Sequence, residues 1–147
     1  MKKIAIAADH GGYELKEVLK KHYAEQGLNF IDLGTASEAS VDYPDYAAKM
    51  ADAVLSGKAE VGILICGTGI GISIAANRYH GIRAAVLYDD DVARLAHEHN
   101  NANVVVFGGR TMAVEDCIRR FDIFMNAKYE GGRHDRRLEK IEQGGCR

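Results

Sequence analysis

The chain is predicted to be an α/β protein: a single-domain, Rossmann-like three-layer sandwich over residues 1–147, with a five-stranded parallel sheet and helices on both faces. Short apolar runs alternate with stretches of helical period five times along the sequence, and right-handed crossovers join such units into one sheet. The middle run, Val61 to Cys66, is apolar throughout, which suits a central strand covered on both sides. The length of 147 residues is enough to bury a real core, and the short loops and single proline leave no linker to divide it.

Each element follows from its local pattern. Lys3 to Ala8 is the first strand. From Tyr13 to Gln26 the period changes: Leu15, Val18, Leu19 and Tyr23 share a helical face, and Gly27 stands where a C-cap belongs. Leu28 to Leu33 is the second strand, and Gly34 to Tyr43 a polar loop. Pro44 suits the first turn of a helix that runs to Leu55 and stops at Ser56-Gly57. Val61 to Cys66 is the third strand, followed by a short helix from Gly71 to Tyr79. Ile82 to Leu87 is the fourth strand. Asp89, Asp90 and Asp91 then place negative charge where the next helix begins, and that helix ends near His99-Asn100. Asn103 to Phe107 is the fifth strand, and Val114, Cys117, Ile118, Phe121 and Met125 form one helical stripe. After Gly131-Gly132 comes a very polar helix, Arg133 to Gln143. Its few apolar residues, mainly Leu138 and Ile141, suit packing on a second subunit better than on its own sheet.

Composition removes several functions. A net charge of −2 argues against nucleic acid as the main partner, although two or three local arginines can still bind a small phosphate ester. Ile4 to Ala8 is too short for the apolar core of a signal peptide, and no run approaches the roughly 20 residues of a membrane span. The three cysteines are widely spaced with no CxxC pair, so neither a disulfide framework nor a zinc site is suggested. A reducing cytoplasm is the expected compartment. Cys117 lies on the apolar stripe and reads as core; Cys146 falls in the C-terminal tail and reads as inert.

Ligands of parallel sheets bind beyond the carboxyl ends of the strands. That rule singles out Asp9-His10, Cys66 to Gly71, Tyr88-Asp89 and Gly108-Gly109-Arg110. The glycine turn, Cys66-Gly67-Thr68-Gly69-Ile70-Gly71, matches the dinucleotide fingerprint only in part, because Ile72 and not glycine follows. It lacks the Gly-Lys-Ser/Thr of a P-loop, and Ile72 also excludes a cysteine phosphatase, which needs arginine there. Backbone amides at such a turn make an anion hole, and the same field favours a nearby thiolate. Cys66 is therefore either a buried structural cysteine or a base facing an oxyanion site, a pairing that suits proton abstraction next to a carbonyl. Asp9 and His10 are either a helix cap with a surface histidine or a pair that touches substrate hydroxyls or phosphate. His97 and His99 are two apart and point to different faces, so a shared metal site is not expected. Protonation near a helix C-terminus is a sufficient reason for either of them. Arg133 and Arg137 share one helix face beside His134, and guanidinium forks bind phosphate.

Taken together, "ADHGG", "DLGT", "DYPDYA", "GILICGTGIGISIAAN", "GIRAA", "HNNANVVVFGGR" and "YEGGRHDRR" resemble the type B ribose-5-phosphate isomerases, grouped with the galactose-6-phosphate isomerase subunits. The resemblance covers nearly the whole chain and rests on several motifs in order. It implies an aldose–ketose isomerase that interconverts ribose 5-phosphate and ribulose 5-phosphate with no cofactor and no metal. It also implies a homodimer, sometimes paired into a tetramer, with each site built from two subunits. Residue by residue, it puts the base on Cys66, with Ala75 where the alternative glutamate of the family aligns. The enediolate-stabilising loop falls on Gly67, Thr68, Gly69, Ile70 and Gly71, with Thr68 moving a proton between oxygens. Ring opening falls on His99, with Asn100 beside it, from the partner. Asp9, His10 and Tyr43 match the sugar pocket, and Arg110, Arg133 and Arg137, with His134 beside them, match the substrate and phosphate contacts. An isomerase for a six-carbon sugar phosphate and a non-catalytic nucleotide- or sugar-phosphate-binding module are the alternatives.

Overall fold

The computed structural model describes residues 2–144; Cys146 lies outside them. In chain order the elements are β1 (Ile4–Ala8), α1 (Tyr13–Ala24), β2 (Ile31–Asp32), α2 (Tyr43–Leu55), β3 (Val61–Cys66), α3 (Ile70–Ala76), β4 (Ala84–Val86), α4 (Asp90–Glu98), β5 (Val104–Gly108), α5 (Val114–Asn126) and α6 (Arg133–Gly144). All five strands pair in parallel, in the order β2-β1-β3-β5-β4, as the alternation of strand and helix predicts.

Residues of β1, β3 and β5 are all buried, because helices cover both sides. The period of two divides them. Ile4, Ile6, Ile63, Ile65, Val105 and Phe107 face one layer, which holds Leu15, Leu19 and Tyr23 of α1 and Cys117, Phe121 and Phe124 of α5. Ala93 and Ala96 of α4 complete that layer. Ala5, Ala7, Leu64, Cys66, Val104 and Val106 face the other, with Met50 of α2 and Ile72 of α3. Each large side chain so buried contributes about 1.5–3 kcal/mol.

Most ends shift by a residue or two, and three elements depart further from expectation. The second strand is only Ile31–Asp32, not Leu28 to Leu33, because the chain is still closing off α1. Gln26 and Leu28 both donate to the Tyr23 carbonyl, and Gly27 takes the left-handed turn at φ +83°. The third helix stops at Ala76, not Tyr79, since the Asn77 amide is bonded to both the N–H and the C=O of Ala84. The fourth strand is an edge of three residues paired only to β5. The last helix lies beside the β4 edge. Leu138 and Ile141 line a cavity of about 480 Å³ with Ile82, Ala85, Val92 and Leu95. No helix among the described residues is long and apolar enough to cross a membrane.

Candidate active site

The carboxyl ends of β1, β3 and β5 converge, and the loops beyond them interlock. Gly109 N–H donates to the Cys66 carbonyl at 2.8 Å and Arg110 N–H to that of Gly67 at 2.9 Å. Gly109 packs on the backbone of Gly11, which in turn meets Gly67. Cys66 ends β3 facing the α2/α3 layer, and its sulfur accepts the Gly69 N–H at 3.2 Å. That turn needs glycine: Gly69 has φ +82° and sits against the backbone of Phe107. Thr68 Oγ1 accepts from Ile70 N–H at 3.1 Å. The Tyr43 ring lies directly over Gly71, where any Cβ would stand 2.7 Å from Tyr43 Cζ. The Arg110 guanidinium crosses Gly67.

Asp9 is 6% exposed, and its carboxylate accepts the Gly11 N–H at 2.9 Å. It is not a helix cap, since Gly12 occupies that position. His10 Nδ1 accepts from Val41 N–H at 3.1 Å, which leaves the proton on Nε2 and swings the Ser40–Asp45 segment over the site. Asp9, His10, Asp42 and Tyr43 line a cavity of about 600 Å³. The "DLGT" stretch braces its floor. Asp32 accepts from the Gly34 N–H at 2.9 Å, from Lys16 at 2.8 Å and from Lys20 at 2.7 Å. Gly34 and Thr35 are thereby locked to both backbone groups of Ala8, next to Asp9. Burial alone would raise the Asp32 carboxyl; the hydrogen bonds from the two lysines and Gly34 hold it below its ordinary range. Lys16, 1% exposed, was legible only as one more surface charge.

The remaining predicted residues lie elsewhere. α4 starts beyond β4, where Asp89 caps it by accepting from Val92 N–H, which accounts for that strand-end acid. Nine residues carry the helix back about 13 Å. Its C-cap, His99, therefore stands at the amino ends of the strands, where Arg83 Nε donates to the Asn101 carbonyl. Asn100 is exposed beside it. α6 packs at the same end: His134 stacks on His99 with ring centroids 4.3 Å apart. Arg133 and Arg137 are exposed on that helix. Tyr129 donates to Asp135 at 2.6 Å, and that bond pushes its hydroxyl up to about 12. His97 instead bonds the Phe124 carbonyl at 2.7 Å and stacks on that ring, a packing role. The candidate residues thus form two groups at opposite ends of the sheet: Asp9, His10, Tyr43, Cys66 to Gly71 and Arg110 at one, and His99, Asn100, Arg133, His134 and Arg137 at the other. Sequence reasoning passed over Glu130, whose carboxylate lies between His99 and His134, 3.7 and 3.5 Å from their Nε2 atoms. Its spacing to His134 was visible; its approach to His99 was not.

The ribose/galactose isomerase family model matches residues 4–141. The chain belongs to this family. Among its relatives, ribose-5-phosphate isomerase B of Escherichia coli is 48% identical over 141 residues, covering 96% of this chain and 95% of its own. A ribose 5-phosphate isomerase of Thermotoga maritima superposes with a TM-score of 0.95 at 52% identity, over 97% of this chain and 98% of that one. Ribose-5-phosphate isomerase B of Mycoplasma genitalium, crystallised with bound ribulose 5-phosphate, has a TM-score of 0.89 at 41% identity, covering 97% and 95%. This family of isomerases shares the five-stranded parallel sheet described above.

Proposed function

We propose that this chain is a ribose-5-phosphate isomerase, a cytoplasmic, one-domain aldose–ketose isomerase of the pentose phosphate pathway whose active sites are completed by a second copy of itself. The observation that carries the reading is Cys66 at the end of the central strand, with the Gly69 N–H on its sulfur and the glycine turn around it. Its ribulose 5-phosphate-bound relative, TM-score 0.89, supports the choice of substrate.

Ribose 5-phosphate is mostly a closed furanose, so reaction begins with ring opening. His99 of a partner moves a proton from the anomeric hydroxyl to the ring oxygen. Cys66 as thiolate takes the proton from C2, and the electron pair passes into an enediolate. The amides of Gly67 to Gly71 hold that negative charge, with Ile70 inside the turn. Thr68 relays a proton between O2 and O1, and the Cys66 thiol returns its proton to C1. Asp9, His10 and Tyr43 bind the sugar hydroxyls, and Arg110 approaches across Gly67. The partner's Arg133 and Arg137, with His134 and Asn100 beside them, bind the phosphate and adjacent oxygens.

Two features support the shared site. One chain holds the thiol and the histidine at opposite ends of its sheet, where neither reaches the other. Ile70, Ile74 and Tyr88 are 60%, 55% and 64% exposed near Thr68, an apolar face that a second copy would cover. The test is ribulose 5-phosphate formation by wild type and by Cys66→Ala, with no metal added. A loss of roughly 10²–10⁴-fold in the variant, with an unchanged melting temperature, is expected. Near-normal turnover in the variant would remove Cys66 as the base. Activity only on six-carbon sugar phosphates would overturn the substrate.

A further inference from the structure

At the amino end of the sheet, three ligand-type side chains meet that no step above requires as a set. His99 Nε2, Glu130 Oε1 and His134 Nε2 come from the end of α4, the loop before α6 and the first turn of α6. Their ligand atoms all lie within 4.8 Å of one another. Glu130 Oε1 is 3.7 Å from His99 Nε2 and 3.5 Å from His134 Nε2. His134 is 5% exposed, and its buried Nε2, turned toward the carboxylate, has no hydrogen-bond partner among the described residues. A buried imidazole nitrogen without a partner costs free energy unless something binds it. The Glu130 backbone is itself fixed, donating to the Glu98 carbonyl at 3.0 Å.

We propose that His99, Glu130 and His134 form a binding site for a divalent transition metal ion, zinc above all. Two imidazoles and one carboxylate are a ligand set zinc accepts, with bonds near 2.0–2.2 Å and a fourth position left open. Tetrahedral bonds of that length place ligand atoms about 3.3 Å apart. The carboxylate edges of the triangle are close to this already, and the third edge closes when the ring of His99, 35% exposed, turns out of its stack on His134. Glu130, 47% exposed, leaves the open position facing solvent.

The consequence concerns the reaction. A metal ion occupies the lone pair of His99 Nε2, so a liganded His99 carries no proton between ring oxygen and anomeric hydroxyl. Zinc binding therefore inhibits opening of the furanose. The binding site stands on the geometry of the trio alone; the inhibition rests on the proposed role of His99.

The probe is zinc alone, titrated calorimetrically into chelator-treated wild-type protein in phosphate-free buffer, with cobalt(II) substituted for absorption spectra. One ion per chain is expected, bound at least 10-fold more weakly by Glu130→Gln and by His134→Gln, each verified as folded by circular dichroism. Cobalt bound here shows no thiolate charge-transfer band. Equal affinity in all three proteins, or a thiolate band that disappears in Cys66→Ala, would overturn the site. In the isomerase assay, zinc should slow wild type reversibly, with full recovery on chelation. Glu130→Gln should keep the metal-free rate and need at least 10-fold more zinc for the same inhibition. Stoichiometric binding at the trio with no loss of rate would sink the inhibition and count against His99 as proton carrier, while leaving the site itself standing.

Discussion

A divided active site can be tested by mixing two dead proteins. Cys66→Ala removes the proposed base at the carboxyl end of β3, and His99→Asn the proposed proton carrier at the end of α4. If each site takes one group from each subunit, a mixed dimer contains one site with both lesions and one with neither. Random pairing of equal amounts gives half mixed dimers, so activity should recover to about a quarter of the wild-type rate per chain. Each variant alone should sit roughly 10²–10⁴-fold below wild type, so the recovery stands far above background. The assay is ribulose 5-phosphate formation after the two proteins are unfolded together and refolded. Cys66→Ala mixed with Asp9→Asn is the control: both lesions lie in the same half, every site in every dimer carries one, and nothing should recover. Failure of the first mixture, with mixed dimers demonstrated by differential tagging, would refute the shared site and place all the chemistry in one chain.

Other consequences follow from the packing. Gly71→Ala puts a methyl where Tyr43 Cζ is 2.7 Å away. The ring, already 39% exposed, should swing outward, lowering kcat/KM roughly 10-fold with little change in melting temperature. Lys16→Met should cost about 1–2 kcal/mol at neutral pH in denaturant titration, held to that by partial solvent screening, since its partners Glu17 and Asp32 are 41% and 31% exposed. The bond from Lys16 depresses the Glu17 carboxyl, and the lysine pair outweighs burial at Asp32. Both carboxyls thus stabilise the fold above their ordinary values and lose that contribution as pH falls through the depressed ones. The gap between wild type and Lys16→Met should accordingly be full at pH 7 and narrow below about pH 4. A gap that widens in acid would contradict the brace. Burial pushes the Cys117 thiol up to about 11, so an alkylating reagent at about pH 8 should leave it unmodified in the native protein by peptide mapping and modify it once unfolded.

The order of elements was legible because parallel strands buried on both faces announce themselves as apolar runs. Val61 to Cys66 kept its predicted bounds for that reason. The second strand did not, because Leu28 and Phe30 are apolar for packing against the α1/α5 layer and not for pairing with β1. The thiol and its glycine turn could be read from strand-end position alone. The Lys16–Asp32 brace could not, since burial of a lysine depends on two carboxylates that the fold alone brings to it. Glu130 was hidden in the same way: one partner lies a turn away in sequence, and the other arrives only through the packing of α6 on α4.

The separation of Cys66 from His99 was implicit in the topology. In a βαβ unit the helix returns to the amino side of the sheet, so a residue at the end of a strand and a residue at the end of the following helix stand on opposite sides. Any enzyme of this architecture that uses both must bend a loop across the sheet or borrow the second residue. The loops after β3 and β5 are short and tied to one another through Gly67, Gly109 and Arg110, and α4 is held at the far end by Arg83 and Phe124. Among the described residues, neither those loops nor the end of α4 is free to make that crossing. The proposed shared site takes the second of these courses, and the mixed-dimer assay decides it.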